Sequence, residues 1–202
     1  MTQNIKQDTT RDAQKVIDNL PIVNFSNSDS VKKPRIKAKL ELVAKDKDGN
    51  ITGTYCNEDD LFTKQFAQMT QLNIFNTAET ITTTSNVAEA LLVNNAATAP
   101  TIVAGTGTTA AAVTDYNLQS QSSGTSGSVA ATINAYSGSG TSGHYTITGT
   151  ITNSSGGNIT YSEVGLEVTV ATYVFLLTHD VFTGLVVSNS GTLAVTYTLT
   201  FS

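Results

Sequence analysis

The sequence predicts a mainly β protein: an antiparallel β-sandwich of jelly-roll-like kind, with one amphipathic helix over about 59–75 and an extended N-terminal arm. Three observations predict it. Apolar and polar residues alternate with period two in several segments, as in half-buried strands. Only one stretch carries apolar residues at convincing helical spacing. The chain also has no lysine or arginine after Lys64. All 11 basic residues precede that point; beyond it stand six acids (Glu79, Glu89, Asp115, Glu163, Glu167 and Asp180) and 28 threonines.

Residues 1–34 are polar, carry charges of both signs and end at Lys32-Lys33-Pro34. A helix over 12–20 would align Val16, Ile17 and Leu20, but it stops at Pro21 and is too short to be stable alone. This segment reads either as a disordered tail or as an arm that orders against a neighbouring subunit. The division is therefore an arm, 1–34, and a β-sandwich domain, 35–202.

From Arg35, Ile36, Ala38, Leu40 and Leu42 alternate with Lys37, Lys39, Glu41 and Val43, a half-buried strand. Asp48-Gly49-Asn50 turns the chain, and 51–56 returns as a hairpin strand, with Cys56 read as a small buried hydrophobe. A calcium loop beginning at Asp46 would need glycine at 51 and glutamate at 57, where Ile51 and Asn57 stand. The helix follows, with Asn57 as N-cap, Glu58, Asp59 and Asp60 at its positive end, and Phe62, Phe66, Met69, Leu72 and Phe75 as its apolar stripe.

Residues 77–127 form a connection with strand-like pieces at 79–84, 89–93 and 101–104. Asp115 reads as the cap of a single turn. A meander fills 129–201, with strands at 129–135, 145–152, 164–170, 173–177, 182–187 and 193–201. In the last, Leu193, Val195, Tyr197, Leu199 and Phe201 alternate with Ala194 and three threonines.

Composition excludes most chemistry. Charged residues make up 13% of the chain, against about 25% in an ordinary domain. Such a surface is covered by threonine, serine and asparagine, or hidden by neighbouring copies. Eleven bases against ten acids give the first 64 residues +1, and six acids with no base give the rest −6. A body without bases cannot neutralise phosphates, so nucleic acid is not an expected partner. No run is apolar enough to span a membrane, and the N-terminus lacks a secretory apolar region.

Two histidines and one cysteine are too few for a metal centre or a disulfide. Gly105-Thr106-Gly107-Thr108-Thr109 has no phosphate-loop lysine. His179 and Asp180 should point to opposite faces of a strand. Glu163 and Glu167 lack a convergent partner for acid–base work. No enzymatic activity, cofactor or metal is expected.

The order of motifs resembles a group of virion structural proteins of tailed phages and related archaeal viruses. The residues that carry it are Ala104-Gly105-Thr106-Gly107-Thr108-Thr109, Thr114-Asp115-Tyr116-Asn117-Leu118, Ile159-Thr160-Tyr161-Ser162-Glu163-Val164-Gly165-Leu166, Phe175-Leu176-Leu177-Thr178-His179-Asp180-Val181-Phe182, and Ser190-Gly191-Thr192 leading into the last strand. The group reads G-T-G-T-T…T-D…L, I-x-E-x-G-L, L-L-x-R-x-x-F and G-D-x-L-x-V-x-Y-x-L. The match spans about residues 35–202. This chain departs at the arginine, where His179 or Asp180 stands, and at Thr192, which replaces an acid.

The resemblance implies a capsid, head-fibre, collar or tail component that assembles in the host cytoplasm. Expected partners are further copies, as a trimer or higher oligomer, and other virion proteins. Lys32, Lys33, Arg35, Lys37 and Lys39 are the densest positive patch and the candidate docking site on an acidic partner. The alternative is a carbohydrate-binding or adhesin-type module, for which Tyr116, Tyr136 and Tyr145 are the candidate aromatic contacts.

Overall fold

In β1 (Ile36–Lys45), Ala38, Leu40, Leu42 and Ala44 are buried and alternate with the more accessible Lys37, Lys39, Glu41 and Val43. The strand therefore turns one apolar face inward, as its period-two pattern requires. Asp46 Oδ1 accepts hydrogen bonds from the Asp48 and Asn50 amides, both at 2.9 Å, and so closes the turn into β2 (Ile51–Asn57). These coordinates are a computed structural model that describes residues 36–75, 79–91, 98–140 and 142–202. The unit described is Pro34–Ser202. The helix expected at 12–20, and Lys32, Lys33 and Arg35, lie outside the described residues.

Among the described residues all strand pairs are antiparallel. β12 (Thr192–Phe201) pairs along the whole of β1, from Ile36 opposite Phe201 to Lys45 opposite Thr192. β9 (Ser142–Thr152) pairs with β12, and β7 (Thr132–Ile133) and β8 (Ser137–Ser139) both pair with β9. The first sheet thus runs β2-β1-β12-β9-β7, with β8 beside β9. The second runs β11 (Tyr173–Val187), β10 (Ile159–Val170), β5 (Thr101–Gly105), β6 (Ser128–Ala130). β3 (Glu79–Thr82) and β4 (Ala88–Leu91) form a separate hairpin.

The two sheets share one core. Leu40, Ile147, Leu193 and Tyr197 from the first meet Ile102, Tyr161, Val164 and Phe182 from the second. Two inner faces interdigitating in this way make a sandwich. The helix α1 (Lys64–Phe75) closes a second cluster, in which Met69 and Leu72 pack with Ile81, Leu91, Val168 and Phe175. No helix among the described residues is long and apolar enough to cross a membrane.

Several expectations need correction. The helix starts at Lys64, not near 59, and Asn57 ends β2 instead of capping it. The acidic residues that looked like its first turn are held against β1. The Asp60 amide donates to Ala38 O at 2.9 Å, Lys37 pairs with Asp59 at 3.1 Å, and Lys39 pairs with Glu58 at 3.0 Å. Tertiary pairing there overrides local helix signals. Phe62 precedes the helix and stacks on Phe66, ring centroids 4.1 Å apart.

Cys56 is exposed, because β2 turns Gly53, Tyr55 and Asn57 inward instead. The strand expected at 129–135 breaks at Ala131, whose amide donates to Pro100 O at 2.9 Å. That break passes the chain from β6 in the second sheet to β7 in the first. The pieces at 173–177 and 182–187 are one strand of 15 residues.

Candidate functional site

Glu163 is fully buried on β10, and four donors converge on it. Oε1 accepts from the Gly107 amide at 2.9 Å and the Ser120 amide at 2.7 Å. Oε2 accepts from the Gln119 amide at 2.9 Å and faces His179 Nε2 at 3.2 Å. Gly107 is required by this approach, since a Cβ there would lie 2.6 Å from Oε1. His179, also fully buried, places its Nδ1 2.7 Å from Asp115 Oδ2. Asp115 Oδ2 in turn accepts from the Ala112 amide at 2.8 Å.

This arrangement gathers the G-T-G-T-T loop, Asp115, Glu163 and His179 at one node. Burial alone would lower the affinity of His179 for its proton, but Glu163 and Asp115 outweigh it and the pKa is raised from 6.5. Burial likewise pushes Glu163 up, yet His179 and three backbone amides hold it below the usual carboxylate range. An imidazolium between two carboxylates fits both directions. With both ring nitrogens engaged, His179 has none free to take a proton from a nucleophile. The node is an electrostatic clasp that fixes the 105–120 connection to the second sheet.

Sequence reasoning missed this node. It read Asp115 as a turn cap and Glu163 as isolated; the cap is real, but the same oxygen also faces His179. His179 meets two acids, Glu163 and Asp115. Asp180 points to the opposite face, where Asn57 Nδ2 donates to it at 3.1 Å. Beside it Asp60 Oδ2 is buried without a hydrogen bond. Burial, with Asp180 adding repulsion, pushes Asp60 up to about 7. Glu167 is also raised to about 7, by burial. Among the described residues no group of three or more histidines, cysteines or acids could hold a metal.

The other expected contacts separate. Lys37 and Lys39 are spent on Asp59, Glu58 and Glu41, the last at 3.4 Å. Tyr136 and Tyr145 come together on a pocket of about 560 Å³, and Tyr116 does not line it. Ile133, Tyr136 and Tyr145 form one wall, Leu166, Val168 and Leu177 the other, and no charged residue lines it. The Tyr136 ring lies across Gly143, where any Cβ would collide with it. Compared with known protein families, with curated proteins and with solved structures, the chain matches none.

Proposed function

We propose that the chain is a non-enzymatic structural component of a virus particle. It oligomerises through its β-domain, as a trimer or higher, and attaches through its N-terminal region to capsid, collar or tail proteins. The observation that carries the reading is the node itself. Three motifs of the resembling group, far apart in sequence, supply Gly107, Asp115, Glu163 and His179 to one contact. Residues that bond one another across a fold are the ones such a motif order would preserve. The sparse charge beyond Lys64 supports the same reading, since a surface of threonine and alanine suits contact with neighbouring copies.

Assembly in the host cytoplasm and incorporation into the particle follow from this reading, with protein partners and no nucleic acid or membrane. Mass spectrometry of purified particles tests it. The chain should be present in a fixed ratio to the major capsid protein; particles that consistently lack it contradict the proposal. The carbohydrate reading rests on Tyr136 and Tyr145 sharing a pocket. That pocket has one amide, Asn134, and no carboxylate to bind sugar hydroxyls, so its chemistry favours an apolar occupant.

A further inference from the structure

Phe62 and Thr178 form an antiparallel bridge, flanked by Thr63 N donating to Leu177 O at 2.9 Å and His179 N to Leu61 O at 3.3 Å. The segment before α1 thus runs against β11, and the same register sets Asp60 opposite Asp180. Residues directly opposite in such a ladder share a face, and like charges there repel. Both carboxylates are more than nine-tenths buried, Asp60 being 7% and Asp180 6% exposed.

Their oxygens are only partly used. Asp60 Oδ1 accepts from the Leu61 amide at 2.8 Å, and Asp180 Oδ2 accepts from Asn57 Nδ2 at 3.1 Å. Among the described residues Asp60 Oδ2 has no hydrogen-bond partner, and neither has the hydroxyl of Tyr197, a fully buried residue of β12. The two orphaned oxygens belong to one region. Tyr197 pairs with Leu40 on β1, two residues from Ala38, whose carbonyl holds the Asp60 amide at 2.9 Å. Burial, and then the charge of Asp60, raise the Tyr197 pKa well above 10, as a hydroxyl facing that carboxylate requires.

Among the described residues no cation answers this pair. His179 turns to the other face, where Glu163 and Asp115 hold it. Lys37 and Lys39 are paired with Asp59 and Glu58, and the chain has no base after Lys64. Buried charges are found paired or on a metal. The donors here are all oxygens, two carboxylates and a phenol, which select a hard cation. Two negative charges call for a divalent one, and calcium accepts the irregular geometry that magnesium resists.

We propose that Asp60 Oδ2, the Asp180 carboxylate and the Tyr197 hydroxyl bind one divalent cation of the calcium class. The cation bridges the two carboxylates and locks the segment leading into α1 onto β11. The site does not depend on assembly with other copies.

The test adds calcium chloride to the chelator-treated full-length chain at constant ionic strength. It is run at pH 8, above the value of about 7 to which burial and then Asp180 raise Asp60. With free calcium a hundred times the dissociation constant, the melting temperature should rise by about 5–10 °C. Asp60→Asn keeps the side-chain shape and should weaken calcium binding at least about tenfold, because the ligands' charge sets that affinity. Tyr197→Phe, which removes only the orphaned hydroxyl, should weaken it as well. Asp48→Asn, at the exposed turn where that carboxylate meets Lys47, should leave binding unchanged. A response lost in Asp48→Asn but kept in Asp60→Asn would put the cation on the turn and overturn the site. No calcium response in the unsubstituted chain, or magnesium chloride matching calcium in full, would also overturn it.

Discussion

His179 Nε2 lies 3.2 Å from Glu163 Oε2, and neither side chain is exposed to water. The contact joins β11 to β10 beneath the 105–120 connection, which Glu163 holds through three backbone amides. Removing the cation leaves a buried carboxylate without its charge partner. His179→Ala should therefore cost about 3–5 kcal/mol, the range for breaking a buried ion pair from one side. His179→Arg, which keeps a cation facing Glu163 and Asp115, should cost clearly less. Urea denaturation of the two variants measures both; equal losses would mean that the charge does not matter.

The backbone donors to Glu163 make a separate expectation. Gly107→Ala drives a methyl group to 2.6 Å from Oε1, so the loop must shift and its bond to Glu163 weakens. A loss of about 1–3 kcal/mol is expected from an unmade hydrogen bond to a buried charged group. Amide hydrogen exchange should show Gln119 and Ser120 losing protection along with it. Unchanged protection at those amides would show that the loop is held by something else.

Stability should rise toward mildly acidic pH. His179 has a raised pKa, so its contribution is complete below 6.5 and is lost as pH climbs through the higher folded value. Asp60 is raised from 3.8 to about 7, so its neutral form favours the fold and stability falls across that interval. Glu163 is lowered and acts oppositely, losing its contribution only as pH drops below 4.5. The protein should unfold at a higher temperature near pH 5 than near pH 8. Asp60→Asn should flatten much of that slope and stabilise the alkaline side, since it removes a buried charge with an unsatisfied oxygen. Melting temperatures across the range check it; a slope unchanged by the substitution would contradict it.

Ala171 turns the chain between β10 and β11 with φ of 57°, a left-handed conformation that disfavours a side chain. Ala171→Gly should stabilise the protein by about 0.5–1 kcal/mol, the strain relieved outweighing the added freedom of the unfolded chain. Chemical denaturation midpoints read this directly.

The strands were legible where one face is buried and the other wet. β12 from Leu193 to Leu199 and β1 from Ala38 to Ala44 show that alternation, and the two strands pair in register from end to end; only at the far end does it lapse, where Ile36 is exposed opposite Phe201. The start of α1 was not legible. Asn57 and the acids after it satisfy every local rule for a helix N-terminus, yet Lys37, Lys39 and Ala38 O bind them in an extended path. β11 looked like two strands because Thr178, His179 and Asp180 interrupt its apolar run; each of these has a buried partner that makes the polarity acceptable. Thr178 Oγ1 accepts from Leu166 N, His179 faces Glu163 and Asp115, and Asp180 accepts from Asn57. The node was hidden for the same reason. Its members stand 48 and 16 residues apart, and only the β5–β10–β11 order brings Asp115 and Glu163 to His179.

The most direct test of the proposed structural role is cryo-electron microscopy of the virus particle into which we propose this chain assembles. The expected map holds the two sheets of residues 36–202 in symmetry-related copies that touch one another, with the stretch before Ile36 engaging neighbouring protein. A particle with every ordered protein assigned and no density for this sandwich would contradict the account.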